Sequence, residues 1–260
     1  MAAAPAYYRQ EGKTPMSQDL AAAPKSSGLT TLWDVIVAPR SAFAALRDRP
    51  TWGWAFLVIS VLGLVGAYLL LPANDHVMRA MFVQQLQQNP NMASMTPEKQ
   101  QQILNVQLTI VHWSWLATPL FVLFGVLIGT VLLLFANALA GGTGNFRKLW
   151  ALEMNLSIVS FAIYYVLLGV LAQIRGADSF ATQRDVMGSI PSLGTLVPAS
   201  APKLGAFLGV FDPIRIWGAA LLALGLQDVA GFKPRAAWIT TVLLYVIGAL
   251  FALLGAFFQK

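Results

Sequence analysis

Cysteine is absent from the 260 residues, so the chain can form no disulfide, hold no iron–sulfur cluster, perform no thiol chemistry and build no cysteine zinc site. Histidine is almost absent too. His76 and His112 are the only two, neither lies among several carboxylates, and catalytic zinc usually takes three protein ligands, so no metal site is expected. Charged residues make up 11% of the chain, against about 25% in an ordinary soluble domain. That is too little to cover a globular surface. Catalytic signatures are missing as well: there is no H-E-x-x-H, no G-x-S-x-G elbow, no Walker loop and no pair of intramembrane aspartates. Neither a catalytic residue nor a cofactor is expected.

What is present is apolar. Hydrophobic residues reach 57% and the mean hydropathy is +0.64, which points to an all-α, polytopic membrane protein with the lipid bilayer as its first partner. The net charge of +6 has no dense basic run behind it, so nucleic acid is not an expected partner. The cations read as loop charge that sets topology.

Residues 1–28 are rich in Ala, Pro, Ser and charge and have no apolar run long enough for a signal peptide; a disordered cytoplasmic tail is expected. Residues 29–50 change character. Trp33, Ile36, Val37, Phe43 and Leu46 recur at near-helical spacing among Asp34, Arg40, Arg47 and Arg49, which predicts an amphipathic segment, broken at Pro39, lying flat on the headgroup boundary. Residues 51–260 form the membrane domain. Five apolar segments are each near the roughly 20 residues that a spanning helix needs: Trp54 to Pro72, Leu116 to Ala140, Trp150 to Ile174, Pro213 to Gly231 and Ala236 to Phe258. Seven of the eight tryptophans fall on the interfacial segment or near a span end, where an aromatic belt belongs.

Between the first two spans, Met78, Phe82 and Leu86 precede the break Asn89-Pro90-Asn91, and Leu104, Leu108 and Val111 follow it; this predicts an external helical hairpin whose second arm runs on into span two. The second long loop, Arg175 to Lys203, is rich in Gly, Ser, Pro and Ala and is expected to be irregular and mobile. The short apolar stretch Gly205 to Phe211 is a candidate re-entrant segment ahead of span four.

Several motifs together resemble the Yip family, the Ypt/Rab-interacting membrane proteins, and in particular its bacterial members. They are Leu32-Trp33, Pro39-Arg40-Ser41-Ala42-Phe43, Arg49-Pro50-Thr51-Trp52, the turn Gly141 to Leu149 (GGTGNFRKL), and above all Phe211 to Leu226 (FDPIRIWGAALLALGL) with Asp212, Pro213, Trp217 and Gly225. The resemblance covers roughly Leu29 to the C-terminus. It implies a five-span helical domain with a cytoplasmic N-terminus and, from the eukaryotic members, an association with Rab GTPases, vesicle traffic and membrane shaping. The D-L-Y-G-P motif is missing. The third span also reads Glu153-Met154-Asn155-Leu156-Ser157 where many relatives place a Tyr and a Pro close together. Both departures argue against binding of a Rab-type GTPase, and the Ala-rich, cysteine-free composition favours a bacterial inner (cytoplasmic) membrane.

Three groups of residues are candidate sites. Glu153, Ser157, Ser160 and Tyr164 are spaced four, three and four apart and share one face of a regular helix, with Thr130 and Asn137 of span two as complements. Asp212, Pro213, Arg215 and Trp217 form the span-four motif, in which Asp212 both caps the helix and pairs with Arg215. Gly142, Gly144, Arg147 and Lys148 form a turn suited to a lipid phosphate, through backbone N–H groups and two cations. The small residues Gly125, Gly129, Gly248, Ala252 and Ala256 favour close helix packing. Two function classes follow: a non-enzymatic, membrane-organising or partner-binding protein that engages another membrane protein or its own copies, and a transporter or channel for small solutes or lipids that uses the polar face of span three.

Lys and Arg outside the spans number ten on the N-terminal side and six, spread over longer loops, on the other, which places the N-terminus in the cytoplasm and the C-terminus outside. Reporter fusions at Gly28 and Lys260 test this. A C-terminal reporter active only in the cytoplasm overturns it.

Overall fold

The computed structural model describes residues 27–198 and 200–258; the tail expected over residues 1–28 therefore lies, apart from its last two residues, outside the described residues. Among those described, every regular element is helical. Ser27 opens α1 (Gly28–Val37) by accepting the Thr30 N–H at 3.2 Å, and Ala38 breaks the helix so that Pro39, whose missing N–H costs nothing at a first turn, begins α2 (Pro39–Asp48). Then come α3 (Gly53–Leu69), α4 (Leu71–Gln88), the short α5 (Pro90–Ala93) and α6 (Pro97–Ser114), which continues through one 3-10 turn into α7 (Thr118–Ala140). The third span is α8 (Phe146–Ser157), a π-helical stretch over Ile158–Ile163, and α9 (Tyr164–Arg175). After α10 (Gln183–Met187) and α11 (Pro202–Leu208), α12 (Pro213–Ala230) and α13 (Pro234–Phe258) end the chain.

Three helical stretches are long and apolar enough to cross a membrane: Pro97–Ala140, Phe146–Arg175 and Pro234–Leu254. Two bent pairs bring the number to five when each is counted as one span. α3 and α4 meet at 50°, and α11 and α12 at 43°. The first bend falls at Leu70, just ahead of Pro72; the second falls where the candidate re-entrant stretch was expected, and α11 supplies a helix there.

The bundle has a near end, with α1, α2 and the two short turns, and a far end with the two long loops. At the near end the structure revises the interfacial segment. Phe43 and Leu46 are completely buried in the main core, α2 packs on α12 and α8, and of the expected lipid-facing residues Trp33 and Val37 stay largely exposed while Ile36 packs at the core's edge. The apolar face is thus divided: α2 turns its share onto the protein, and α1 keeps Trp33 and Val37 for the surroundings. The near-end aromatics cluster, with Trp150 edge-on to Trp52 at 5.9 Å and stacked on Phe146 at 5.7 Å.

At the far end the hairpin is present. α4 packs on α6, and α6 runs on into α7. The second long loop differs from expectation, because it is folded. Phe180, Val186 and Ile190 are buried in a second core with Val77, Leu168 and Ala172, and α10 is opened by a capping box between Thr182 and Asp185. Arg175 lies over the Phe180 ring at 4.7 Å, and His76 of α4 meets Asp178 at 3.4 Å. Three apolar residues within a Gly- and Ser-rich stretch are enough to seat it.

α3 and α9 approach each other closely. A methyl group at Gly66 would sit 2.6 Å from the backbone carbon of Tyr165, and one at Gly169 would sit 2.7 Å from Leu69 Cβ, so both contacts require glycine. Gly66→Leu should lower stability by about 1–3 kcal/mol, read as a lower unfolding midpoint in detergent. Gly53→Ala, which meets nothing within 4 Å, should leave that midpoint unchanged.

Candidate functional site

α8 begins after Asn145, whose side chain accepts the Lys148 N–H at 3.0 Å, and it packs against α7, α12, α3 and α2. Its polar residues do not all go where an unbroken α-helical period sends them. The carboxylate of Glu153 points at Gly129 of α7: a Cβ built there would lie 2.5 Å from Oε1. Ser157 is mostly buried and donates to the Glu153 carbonyl at 2.9 Å. Ser160 is exposed, donates to the Leu156 carbonyl at 3.3 Å, and has its Cβ 3.6 Å from a Cβ built on Gly218 of α12. Half-buried Glu153 beside α7 and exposed Ser160 beside α12 thus form a polar strip that reaches the surface at Ser160. Both serines satisfy their hydroxyls on the carbonyl four residues back.

Tyr164 leaves this strip. The π-helical stretch Ile158–Ile163 closes i→i+5 bonds and holds one residue more per turn, which shifts the helical phase and turns Tyr164 into the far-end core, 4% exposed. There it joins the span-four motif. The Arg215 guanidinium lies 4.6 Å from the centre of the Tyr164 ring, and the Tyr164 hydroxyl reaches Met187 Sδ at 3.9 Å. Asp212 is 1% exposed, accepts the Arg215 N–H at 2.9 Å through Oδ1, and holds Arg215 Nε at 3.4 Å from Oδ2. Pro213 follows as the first helical residue, and Tyr245 of α13 donates to the Val210 carbonyl at 2.6 Å. Two candidate sites therefore meet at Tyr164 and Arg215, while Trp217 points outward at 37% exposure.

The glycine turn is a latch. Gly141 closes α7 in the left-handed region, at φ 66°, and the next three N–H groups are all committed: Gly142 to the Asn137 carbonyl at 2.9 Å, Thr143 to the Ala230 carbonyl at 2.8 Å, and Gly144 to Asn137 Oδ1 at 3.0 Å. Asn137 Nδ2 returns a bond to the Gly144 carbonyl at 3.0 Å. The backbone donors that a lipid phosphate needs are thus used within the chain. Arg147, exposed, and Lys148, half-buried, remain as cations beside the turn. Asn137 accordingly serves the turn and not the span-three strip, and Thr130 keeps a buried hydroxyl with no hydrogen bond among the described residues.

One polar residue went unrecognised in the sequence as a site. Asn155 is 1% exposed and donates to the Thr51 carbonyl at 2.9 Å and to the Ala151 carbonyl at 2.7 Å, tying α8 to the α2–α3 connection. An asparagine within an apolar run was the available signal. Among the described residues no group of three or more His, Cys, Asp or Glu side chains is placed to hold a metal ion.

A chain with this helical order and this Asp-Pro-capped helix can be compared with known proteins. The Yip1 domain model matches residues 33–255. The chain belongs to the Yip1 domain family. It is similar to the membrane protein YknW of Bacillus subtilis, 27% identical over 242 residues that cover 88% of this chain and 93% of that protein. No solved structure matches. In this Yip1 domain protein both the Asp212 cluster and the strip through Glu153 lie within the matched residues.

Asp212→Ala removes the α12 cap and strands the Arg215 cation. Breaking a buried pair costs about 3–5 kcal/mol, and the 33% of the Arg215 side chain that stays exposed lowers the expected loss to about 2–3 kcal/mol. Thermal unfolding in detergent should show Asp212→Ala well below Trp217→Ala; equal midpoints would contradict the structural role given to the carboxylate.

Proposed function

We propose that this Yip1 domain protein is a non-enzymatic, five-span protein of a bacterial inner membrane that organises the membrane by binding another membrane protein. The near end, with α1 and α2, faces the cytoplasm and the C-terminus lies outside. Counting the α3–α4 and α11–α12 pairs as one broken span each gives five, an odd number that leaves the termini on opposite sides, and the ten-to-six distribution of Lys and Arg supports the N-terminus as the cytoplasmic one. Arg147 and Lys148 then stand at the cytoplasmic headgroups, and Trp33 and Val37 of α1 reach the same boundary.

The observation that carries the reading is the direction of the polar strip. Ser160 is exposed beside Gly218 of α12 and Glu153 is half-buried beside Gly129 of α7, so the polar strip reaches the surface of the bundle. A transport path calls instead for polar groups around an enclosed route through the bundle. Two surface depressions, one along α6 from Glu98 to Ile110 and one between Gly28 and Trp54, lie away from Glu153 and Ser160.

Reconstituted alone in liposomes, the protein should leave permeability to ions and small solutes at the level of protein-free vesicles. From its native membrane it should purify with a defined membrane protein at a stoichiometry that holds in two detergents. A saturable solute flux that depends on the protein overturns the reading.

A further inference from the structure

Glu153 occupies an unusual place for a carboxylate. It lies one turn deeper in α8 than Trp150, whose ring belongs to the near-end aromatic cluster, and its side chain touches Gly129, the middle residue of the 23-residue α7. Half of α7, at about 1.5 Å per residue, is roughly 17 Å, so the carboxyl reaches well into the hydrocarbon. Among the described residues no hydrogen bond and no ion pair reaches it; the ion pairs there are Arg40–Asp228, Arg47–Asp48, His76–Asp178 and Arg215–Asp212. The near-end cations Arg147, Lys233 and Arg235 make none of these pairs. An acid at this depth stays costly until a partner reaches it.

The surroundings of Glu153 have the shape of a helix seat. On one side Gly129 is half-buried and Gly125, one turn further along, is exposed, with nothing within 4 Å of where its Cβ would be. On the other side stands Gly218 of α12, and Ser160 lies exposed on the floor between them. Around the glycines α7 exposes Phe121, Phe124, Ile128 and Leu132, which suit lipid or an apolar helix equally. The carboxylate breaks that tie. It discriminates in favour of an occupant that brings a cation to the same depth.

We infer that the groove between α7 and α12, with Gly125, Gly129, Gly218 and Ser160 as its surface and Glu153 as its anchor, binds a transmembrane helix of a partner protein that carries a Lys or Arg near its middle. This rests on the partner-binding reading above and names the class of partner. The glycines let the two backbones approach, and the cation pairs with Glu153 out of water, where neither charge competes with solvent.

The test uses the full-length protein, dye-labelled at its N-terminus, in liposomes with two acceptor-labelled synthetic spans, one of Leu and Ala only and one identical but for a central Lys. Energy transfer against peptide mole fraction should show the Lys peptide binding roughly tenfold more tightly. Glu153→Gln should reduce that preference to less than about threefold, because the amide still accepts a hydrogen bond but carries no charge. Gly125→Leu should weaken both peptides by filling the seat, with the unfolding midpoint of each variant close to wild type. Equal binding of the two peptides, or a preference untouched by Glu153→Gln, overturns the inference. So does transfer between two labelled copies that Gly125→Leu abolishes while neither peptide binds, since the occupant would then be a second copy. A native partner that co-purifies with wild type and both variants alike would overturn the groove and leave the partner-binding role standing.

Discussion

Gly66 and Gly169 bring α3 and α9 together backbone to backbone, and the arrangement of the far end follows from that contact. Just beyond that contact the chain bends by 50° at Leu70, ahead of Pro72, and the bend sends α4 away as the first arm of the hairpin. α4 then presents Val77 to the same small core that receives Phe180, Val186 and Ile190. A chain with so few charges has few ion pairs with which to hold its two long loops. It holds them by apolar side chains packed onto helix ends, with His76–Asp178 and Arg175–Ser189 as polar stitches at the edge.

Inside the bundle the scarcity of polar groups makes each one consequential. Asn137 and Asn155 commit their amides to backbone carbonyls, one closing the turn between α7 and α8, the other fixing α8 to the chain ahead of α3. Asp212 turns one oxygen to the cap of α12 and faces the other toward Arg215, whose cation also rests on Tyr164. These residues hold helix ends and crossings in register, as buried polar groups in membrane bundles commonly do. Glu153 has its carboxylate against Gly129 of α7 instead, with no hydrogen bond or ion pair to it among the described residues, and this separates it from the others.

The sequence made the helical architecture legible because long apolar runs and Asn-Pro or Asp-Pro starts are local signals. Asp212 with Pro213 marks the start of α12 to the residue, and the Asn89-Pro90 break marks the hairpin. The burial of Phe43 and Leu46 was not legible. An amphipathic helix has the same pattern whether its apolar face meets lipid or protein, and only the packing of α2 on α12 distinguishes the two. The folded second loop was hidden by its Gly and Ser content, which outweighed three well-spaced apolar residues. The site was half legible for a different reason. Glu153 and Ser160 share a face as their spacing predicts, but nothing in Ile158 to Ile163 announces a π-helical stretch, and a period extended through it assigns Tyr164 to the wrong side.

That wide stretch has a consequence for motion. It carries one surplus residue between two ends that are tied separately, Asn155 to Thr51 on one side and Gly169 against Leu69 on the other. The surplus cannot leave without turning an anchored end by about 100°. It can only travel along the axis, as a wrinkle moves along a carpet. Such travel would swivel Ser160 and its immediate neighbours while both anchors stay still, turning the floor of the groove without moving the ends of the span.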